Sequence, residues 1–364
     1  MLSLRKWAQV LRPPVVALLA ATVAACTAAS GSSVSRQSLA VRSVNQFQKN
    51  GGVFPGYRRN HAQGICVSGY FQSSGKAARY SVAPVFASAR RTPVIGRLSI
   101  PGTNPYAWDG GTPIRGMALV FLQADGQQWR TAMNAVPAFP VATPEANYKF
   151  LQAQQPDPAT GDPNPKKLAA FFATHPRANA FRIWDRTTQP SASFATVQYN
   201  SLDAFELVDA HDGKRAVRWS MVPEASADGR HAPPDEPDYL FADLRRRLSK
   251  GPLRWHLVIT FANPGDAIDN ASIPWSAATH RHIVAGTLVI RASQPQARGV
   301  CRDISFNPLV LPKGIEPSDD PLLLFREKTY AVSHRRRIHE EEARARRTAP
   351  APASVANPQK AQPR

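Results

Sequence analysis

Five short segments carry side chains of unusual chemical reach. They are Arg58-Arg59-Asn60-His61-Ala62-Gln63-Gly64, Gly96-Arg97-Leu98-Ser99, Arg115-Gly116-Met117-Ala118 and Ala132-Met133-Asn134-Ala135-Val136-Pro137-Ala138-Phe139, followed by a stretch from Ser318-Asp319-Asp320 through Arg326 and Tyr330 to Arg337. An imidazole that titrates near neutrality can take a proton and give it back. A carboxamide such as that of Asn134 hydrogen-bonds a polarised bond without carrying charge. Arginines grip carboxylates through paired N–H groups, so buried ones can neutralise the acidic groups of a cofactor. Taken singly, each residue has a plainer reading. A lone histidine is more often structural, Asn134 is a turn residue at a strand end, Ser99 is an ordinary strand serine, and an arginine is a solvated surface charge. Sites of other chemistries are missing: there is no Gly-rich phosphate loop, no zinc-spaced histidine pair and no Gly-x-Ser-x-Gly elbow.

In this order, the five segments resemble the catalase superfamily, and most closely its short, exported, catalase-related haem peroxidases. The resemblance is collinear from about Gly51 to Arg337, with His-Ala-x-Gly, Arg-Gly-x-Ala and a C-terminal Arg-x-x-x-Tyr as its most telling motifs. It implies that Tyr330 is the proximal ligand of a ferric haem b iron. Arg326, one helical turn earlier, would stabilise the phenolate. It makes His61 the distal acid–base residue, Asn134 the amide that orients peroxide, and Ser99 the hydroxyl that holds the other imidazole nitrogen. Arg58, Arg97 and Arg337 fall where the family faces the haem propionates. Two positions depart from the larger catalases. Asn60 precedes His61 in place of an apolar residue, and Asn147 lies near the phenylalanine that covers the haem. A more polar, more open pocket admits organic reductants as well as peroxide. The resemblance therefore implies a peroxidase that reduces hydrogen peroxide or organic hydroperoxides with small organic donors, with true catalase activity or a non-enzymatic haem-binding protein as alternatives. The long C-terminal domain of large catalases is absent, which argues against NADPH binding and tight tetramerisation and leaves a monomer or dimer.

The elements needed to position these groups are mostly strands. Candidate strands run over 61–70, 94–100, 118–122, 128–133, 194–197, 205–208, 217–221, 255–262 and 282–291, with turn pairs at Asp125-Gly126 and Asp212-Gly213. Helical spacing predicts helices over 144–152, 165–174, 239–248 and 320–337. The expected fold class is α+β: a catalase-like antiparallel β-barrel of about eight strands with flanking helices and long wrapping segments.

Composition bounds the rest. The chain has 364 residues, 43% of them hydrophobic and 20% charged, which fits a soluble globular protein and excludes a polytopic membrane protein. The formal net charge of +19 comes with no nucleic-acid motif, so it reads as a basic surface, a basic tail and some arginines that face an acidic ligand. A basic start, the apolar run to Ala25 and small residues before Cys26 form a secretory signal layout over 1–26, of ordinary or lipoprotein type. That layout implies export to the periplasm, and in the second case a lipid anchor through Cys26. Residues 27–50 read as a flexible arm, 51–338 as the haem peroxidase domain and 339–364 as a basic, disordered tail. Cys66 and Cys301 either pair in an oxidising compartment or stay as buried free thiols.

Overall fold

The computed structural model describes residues 37–226, 232–233 and 235–348, so the expected signal segment, Cys26 and residues 349–364 lie outside the described part. Its centre is an antiparallel barrel. The strands are β1 (Gly64–Ser73), β2 (Arg91–Ser99), β3 (Gly116–Leu122), β4 (Gln128–Asn134), β5 (Tyr199–Asn200), β6 (Phe205–Val208), β7 (Lys214–Pro223), β8 (Leu253–Phe261), β9 (His282–Pro295) and β10 (Ile315–Pro317). Neighbours follow the order β10-β6-β7-β5-β4-β3-β2-β1-β9-β8, and a β7–β8 pairing closes the ring. The closed barrel therefore has eight strands, with β6 and β10 added beside β7, as the expected fold class required.

Strand alternation fills the barrel. In β8, Trp255, Leu257, Ile259 and Phe261 are buried while the residues between them are partly exposed. In β4 the inward residues are Trp129, Thr131 and Met133. Trp129 stacks on Phe121 at 4.5 Å between ring centres, and Trp219 stacks on Phe205 at 4.2 Å. The barrel is thus a packed aromatic core, and any site must lie outside it.

Among the described residues, six α-helices flank this core: α1 (Leu39–Gly51), α2 (Pro144–Ala153), α3 (Pro165–Ala173), α4 (Asn179–Thr187), α5 (Tyr239–Lys250) and α6 (Pro321–Thr348). Three expectations need correction. Within the expected arm, 39–51 is a helix. Ser38 caps it by accepting from the Val41 N–H, and Ala40 and Val44 bury against Val332 of α6. A short apolar stripe among small polar residues was enough, because it had a partner. The expected tail is also shorter, since α6 continues to Thr348. Glu340 and Glu341 explain the continuation, because they pair with Arg59 and Arg302 and so tie the last turns to the domain. Finally, Phe194–Thr196 is a 3₁₀ turn and not a strand, because the Ser193 hydroxyl accepts from the Ala195 N–H and bends the chain there.

Candidate functional site

The site begins as a consequence of strand register. Ser99 pairs with Gly64 on one side and Gly116 on the other, Gly116 pairs with Asn134, and Asn134 pairs with Asn200. One row further along, Arg97 lies between Cys66 and Ala118, which pairs with Ala132. These two rows share one face of the sheet, and their immediate neighbours Leu98, Met117 and Met133 face the core. A slip of one residue would exchange the faces and erase the site.

The outer rows are small by necessity. A Cβ on Gly64 would sit 2.4 Å from the Arg97 guanidinium carbon. One on Gly116 would come within 2.9 Å of both the His61 ring and the Ser99 hydroxyl. Ala118 and Ala132 continue the shallow floor.

Helix α6 supplies the facing wall. Leu322, Arg326, Tyr330, Ser333 and Arg337 follow one another at three- or four-residue spacing and all line the same cavity. The carboxylate of Asp320 starts the helix by accepting from the Leu322 N–H at 2.8 Å. Helix α1 adds Ser43, Val44 and Phe47, and the 304–306 loop adds Ile304 and Phe306. His61, Asn134, Ser99, Arg58, Arg97, Arg326, Tyr330 and Arg337 all lie on this single cavity. Arg115 does not join them: its guanidinium donates to the Tyr239 Oη and to the Ser191 carbonyl.

His61 sits in the turn before β1 with a left-handed backbone, φ +54°. Such a conformation is costly for a residue with a side chain and persists where its surroundings enforce it. Asn60 does so: its Oδ1 accepts from the His61 N–H at 2.9 Å and from the Gly102 N–H at 3.0 Å. The departure from the larger catalases at Asn60 therefore braces the turn, although the residue also lines the cavity. The His61 Nδ1 lies 3.1 Å from the Ser99 Oγ, which leaves Nε2 as the ring's unassigned nitrogen. Burial, followed by the charges of Arg97, Arg326 and Arg58, pushes the imidazole down to about 3, so it is neutral at physiological pH.

Tyr330 and Arg326 form the second group. Arg326 Nη2 donates to the Tyr330 Oη at 3.2 Å and to the Ala132 carbonyl at 3.0 Å, and its other terminal nitrogen pairs with Asp203. Burial opposes the Arg326 charge, but Tyr330 and Asp203 outweigh it and hold the guanidinium above its ordinary value. Asp203 is a site residue that no motif marks. It stands in the turn between β5 and β6, and only the fold brings it to α6.

Three arginines crowd one edge. Arg58 donates to the carbonyls of Cys301, Arg302 and Ile304; Arg97 to Gln296 and to the carbonyls of His61 and Ala62; Arg337 to the Arg302 carbonyl. Burial lowers all three, and mutual repulsion lowers Arg58 and Arg97 further, the latter to about 9. The three guanidiniums have neutral hydrogen-bond partners, and the Arg337 Nε is buried with none. A disulfide between Cys66 and Cys301 decides the question left open by the sequence, and it fastens the 301–304 carbonyls to β1 beside these arginines.

This arrangement suits a cofactor with an apolar body and two carboxylates. Apolar side chains from α1, α6 and the 304–306 loop wall the cavity, and the arginine edge matches two carboxylates. The Asn134 Oδ1 is buried without a partner, an acceptor left for a ligand. Among the described residues no group of three or more His, Cys, Asp or Glu side chains is placed to hold a metal ion.

Comparison with known proteins agrees with the geometry. A family model described as Catalase matches residues 31–360. A catalase-related peroxidase of Synechococcus elongatus is 37% identical over 292 residues, covering 79% of this chain and 85% of the relative. A catalase-related peroxidase of Mycolicibacterium paratuberculosis is 31% identical over 296 residues, covering 80% and 92%. Among solved structures, a fungal catalase superposes with a TM-score of 0.69 at 20% identity, over 78% of this chain and 60% of that one. Catalase A of Saccharomyces cerevisiae gives 0.69 at 19% identity, over 78% and 62%. The chain thus spans about three-fifths of the length of those two catalases, and at such identities the likeness speaks for the fold.

Proposed function

The chain belongs to the catalase family as an oxidoreductase acting on peroxide, and on that premise we propose that it holds ferric haem b through Tyr330 and oxidises small organic donors. The observation that carries this reading is the joint placement, on one cavity, of the Tyr330–Arg326–Asp203 chain, the His61–Ser99 pair and three carbonyl-bound arginines. Tyr330 would hold the iron as a phenolate, with Arg326 donating to its oxygen. Arg58, Arg97 and Arg337 would take the propionates, exchanging neutral partners for charged ones. The haem would supply the iron at which the peroxide O–O bond is broken and the electrons that break it.

The chain's own residues manage the protons. Peroxide donates one O–H to the unpaired Asn134 Oδ1, which fixes its orientation. His61, neutral and held at Nδ1 by Ser99, takes the proton of the near oxygen on Nε2 and returns it to the departing far oxygen. Asn147 on the cavity wall leaves a polar opening where larger catalases carry a phenyl ring, which favours entry of organic donors. The sequence reading of export, with Cys26 as a lipid anchor in its lipoprotein form and a monomer or dimer in the periplasm, completes the proposal.

Haem-supplied protein is expected to show the Soret band of high-spin ferric haem. Tyr330→Phe should alter that spectrum or lose the haem; an unchanged spectrum refutes the ligand assignment. His61→Ala should retain haem and lose peroxidase turnover by about 10²–10⁴-fold. Turnover that survives the change would favour a haem carrier with incidental activity.

A further inference from the structure

A second pocket lies behind the arginine edge, and the hydrogen-bonded pair Arg97 and Gln296 stands between it and the central cavity. Arg97 lines the cavity, and its Nε donates at 2.6 Å to the Oε1 of Gln296, which lines the second pocket. The Gln296 amide and the Arg97 guanidinium both also donate to the Ala62 carbonyl, at 3.3 Å and 3.0 Å. The walls of this pocket are ring-bearing: Tyr57, Tyr106, Phe241, Pro105 and Pro295. Tyr106 stands 72% exposed at its mouth, unusual for so large a ring, with the Tyr57 ring edge-on at 6.2 Å.

The pocket also contains an unmet hydrogen bond. Gln63 lines it and is only 6% exposed. Its amide nitrogen donates to Asp109 at 2.9 Å and to Asp238 at 3.4 Å, which fixes the amide orientation. The Gln63 Oε1 is then buried with no donor. A buried acceptor without a partner is costly, and a ligand that brings a donor would offset that cost.

We propose that this pocket binds a neutral phenol, the electron donor of the peroxidase reaction, with its ring among the aromatic and prolyl walls and its O–H donated to the Gln63 Oε1. The assignment rests on the peroxidase reading above and names the donor class and its seat. Rings stack on rings and on proline faces, and a phenol presents one strong O–H donor at the edge of an apolar body. Gln296 and Arg97, hydrogen-bonded to each other, would link a phenol seated there to the central cavity. The overall reaction is ROOH + 2 ArOH → ROH + H₂O + 2 ArO•. The peroxide O–O bond is reduced by two electrons, and each phenol loses one electron and the proton of its O–H. That proton passes to solvent at the open pocket and is balanced by the protons taken up in water and alcohol.

The test uses the full-length, haem-supplied protein and guaiacol, a methoxyphenol. Calorimetric titration without peroxide should show one site, weakened at least about tenfold by Gln63→Leu and by Ala297→Trp. Ala297 is an exposed residue on the pocket rim, so its replacement plugs the pocket without disturbing the core. In peroxide-driven turnover, Ala297→Trp should lower the ratio of guaiacol to ferrocyanide oxidation at least about tenfold, through KM for guaiacol. Equal binding to wild type and Ala297→Trp, or an unchanged ratio, overturns the pocket assignment while ferrocyanide oxidation leaves the peroxidase reading in place. If neither donor is oxidised, the peroxidase reading itself has failed and the donor role goes with it.

Discussion

Strands β2, β3 and β4 present two faces that obey different rules. On the inner face, Leu98, Met117, Phe121, Trp129 and Met133 are all within 2% of full burial and pack as one cluster with Trp219 and Phe205. On the outer face, alternate residues of the same strands are Arg97, Ser99, Gly116, Ala118, Ala132 and Asn134, small or polar, with the Asn134 Oδ1 unpaired. One backbone thus carries packing energy on one side and a binding surface on the other. The inner face is filled with buried, mutually packed side chains. The outer face gives up volume and a hydrogen bond to leave room for a ligand, a trade expected at functional sites.

If that division is real, damage to the two faces should register in different assays. The largest effect belongs inside. Trp219→Ala removes an indole that stacks on Phe205 and donates to the Thr131 Oγ1 at 3.0 Å. It should cost about 3–5 kcal/mol of unfolding free energy in a denaturant titration. Haem-loaded molecules that remain folded should keep an ordinary Soret band. A loss below about 1 kcal/mol would show that the inner face is not the packed core described here.

The outer face should respond in the opposite sense. Asn134→Leu removes the unpaired acceptor, so it should leave stability unchanged or raise it by about 1–2 kcal/mol. Peroxide-dependent turnover should fall about 10²–10³-fold, the cost of losing one preorganised polar contact to the reacting group. Equal losses in stability and turnover would mean that Asn134 belongs to the scaffold, and the contrast between the faces would collapse.

The faces were unequally legible in the sequence. The inner face announced itself as apolar alternations, such as Leu119 and Phe121 within the run 118–122 and Trp255, Leu257, Ile259 and Phe261 within 255–262, because burial selects for them. The outer residues were found only as motifs, since Ser99, Gly116 and Asn134 have no periodicity that links them. Register joins them, and register is a property of pairing, not of any one strand. Asp203 and the Cys66–Cys301 pairing depend on long-range contact and had no local signal. The helix over Leu39–Gly51 and the last turns of α6 were misread for a related reason. Each draws its stability from a partner, α6 for the first and Arg59 with Arg302 for the second, and not from its own composition.

The smallest effect sharpens the contrast through protons. The folded protein holds His61 down to about 3, whereas an unfolded imidazole titrates near its ordinary value of about 6.5. Between those values the unfolded chain binds the extra proton, so stability is full above about pH 6.5 and declines as pH falls toward 3. From about pH 7 to about pH 6 the loss should be somewhat under 1 kcal/mol. Two buried carboxyls act in the other direction. Burial raises Asp109 to about 7 and Asp320 to about 6, so each gains stability as pH falls through those values. Wild-type stability in this window is a sum of opposed slopes and is uninformative alone. The difference between wild type and His61→Gln, measured by denaturant midpoints at each pH, isolates the imidazole. That difference should narrow steadily as pH falls from 7 to 5, with the variant gaining on wild type. A difference independent of pH would mean that His61 is solvated and free to charge in the folded state, and the outer face would then lack the desolvated base on which its chemistry depends.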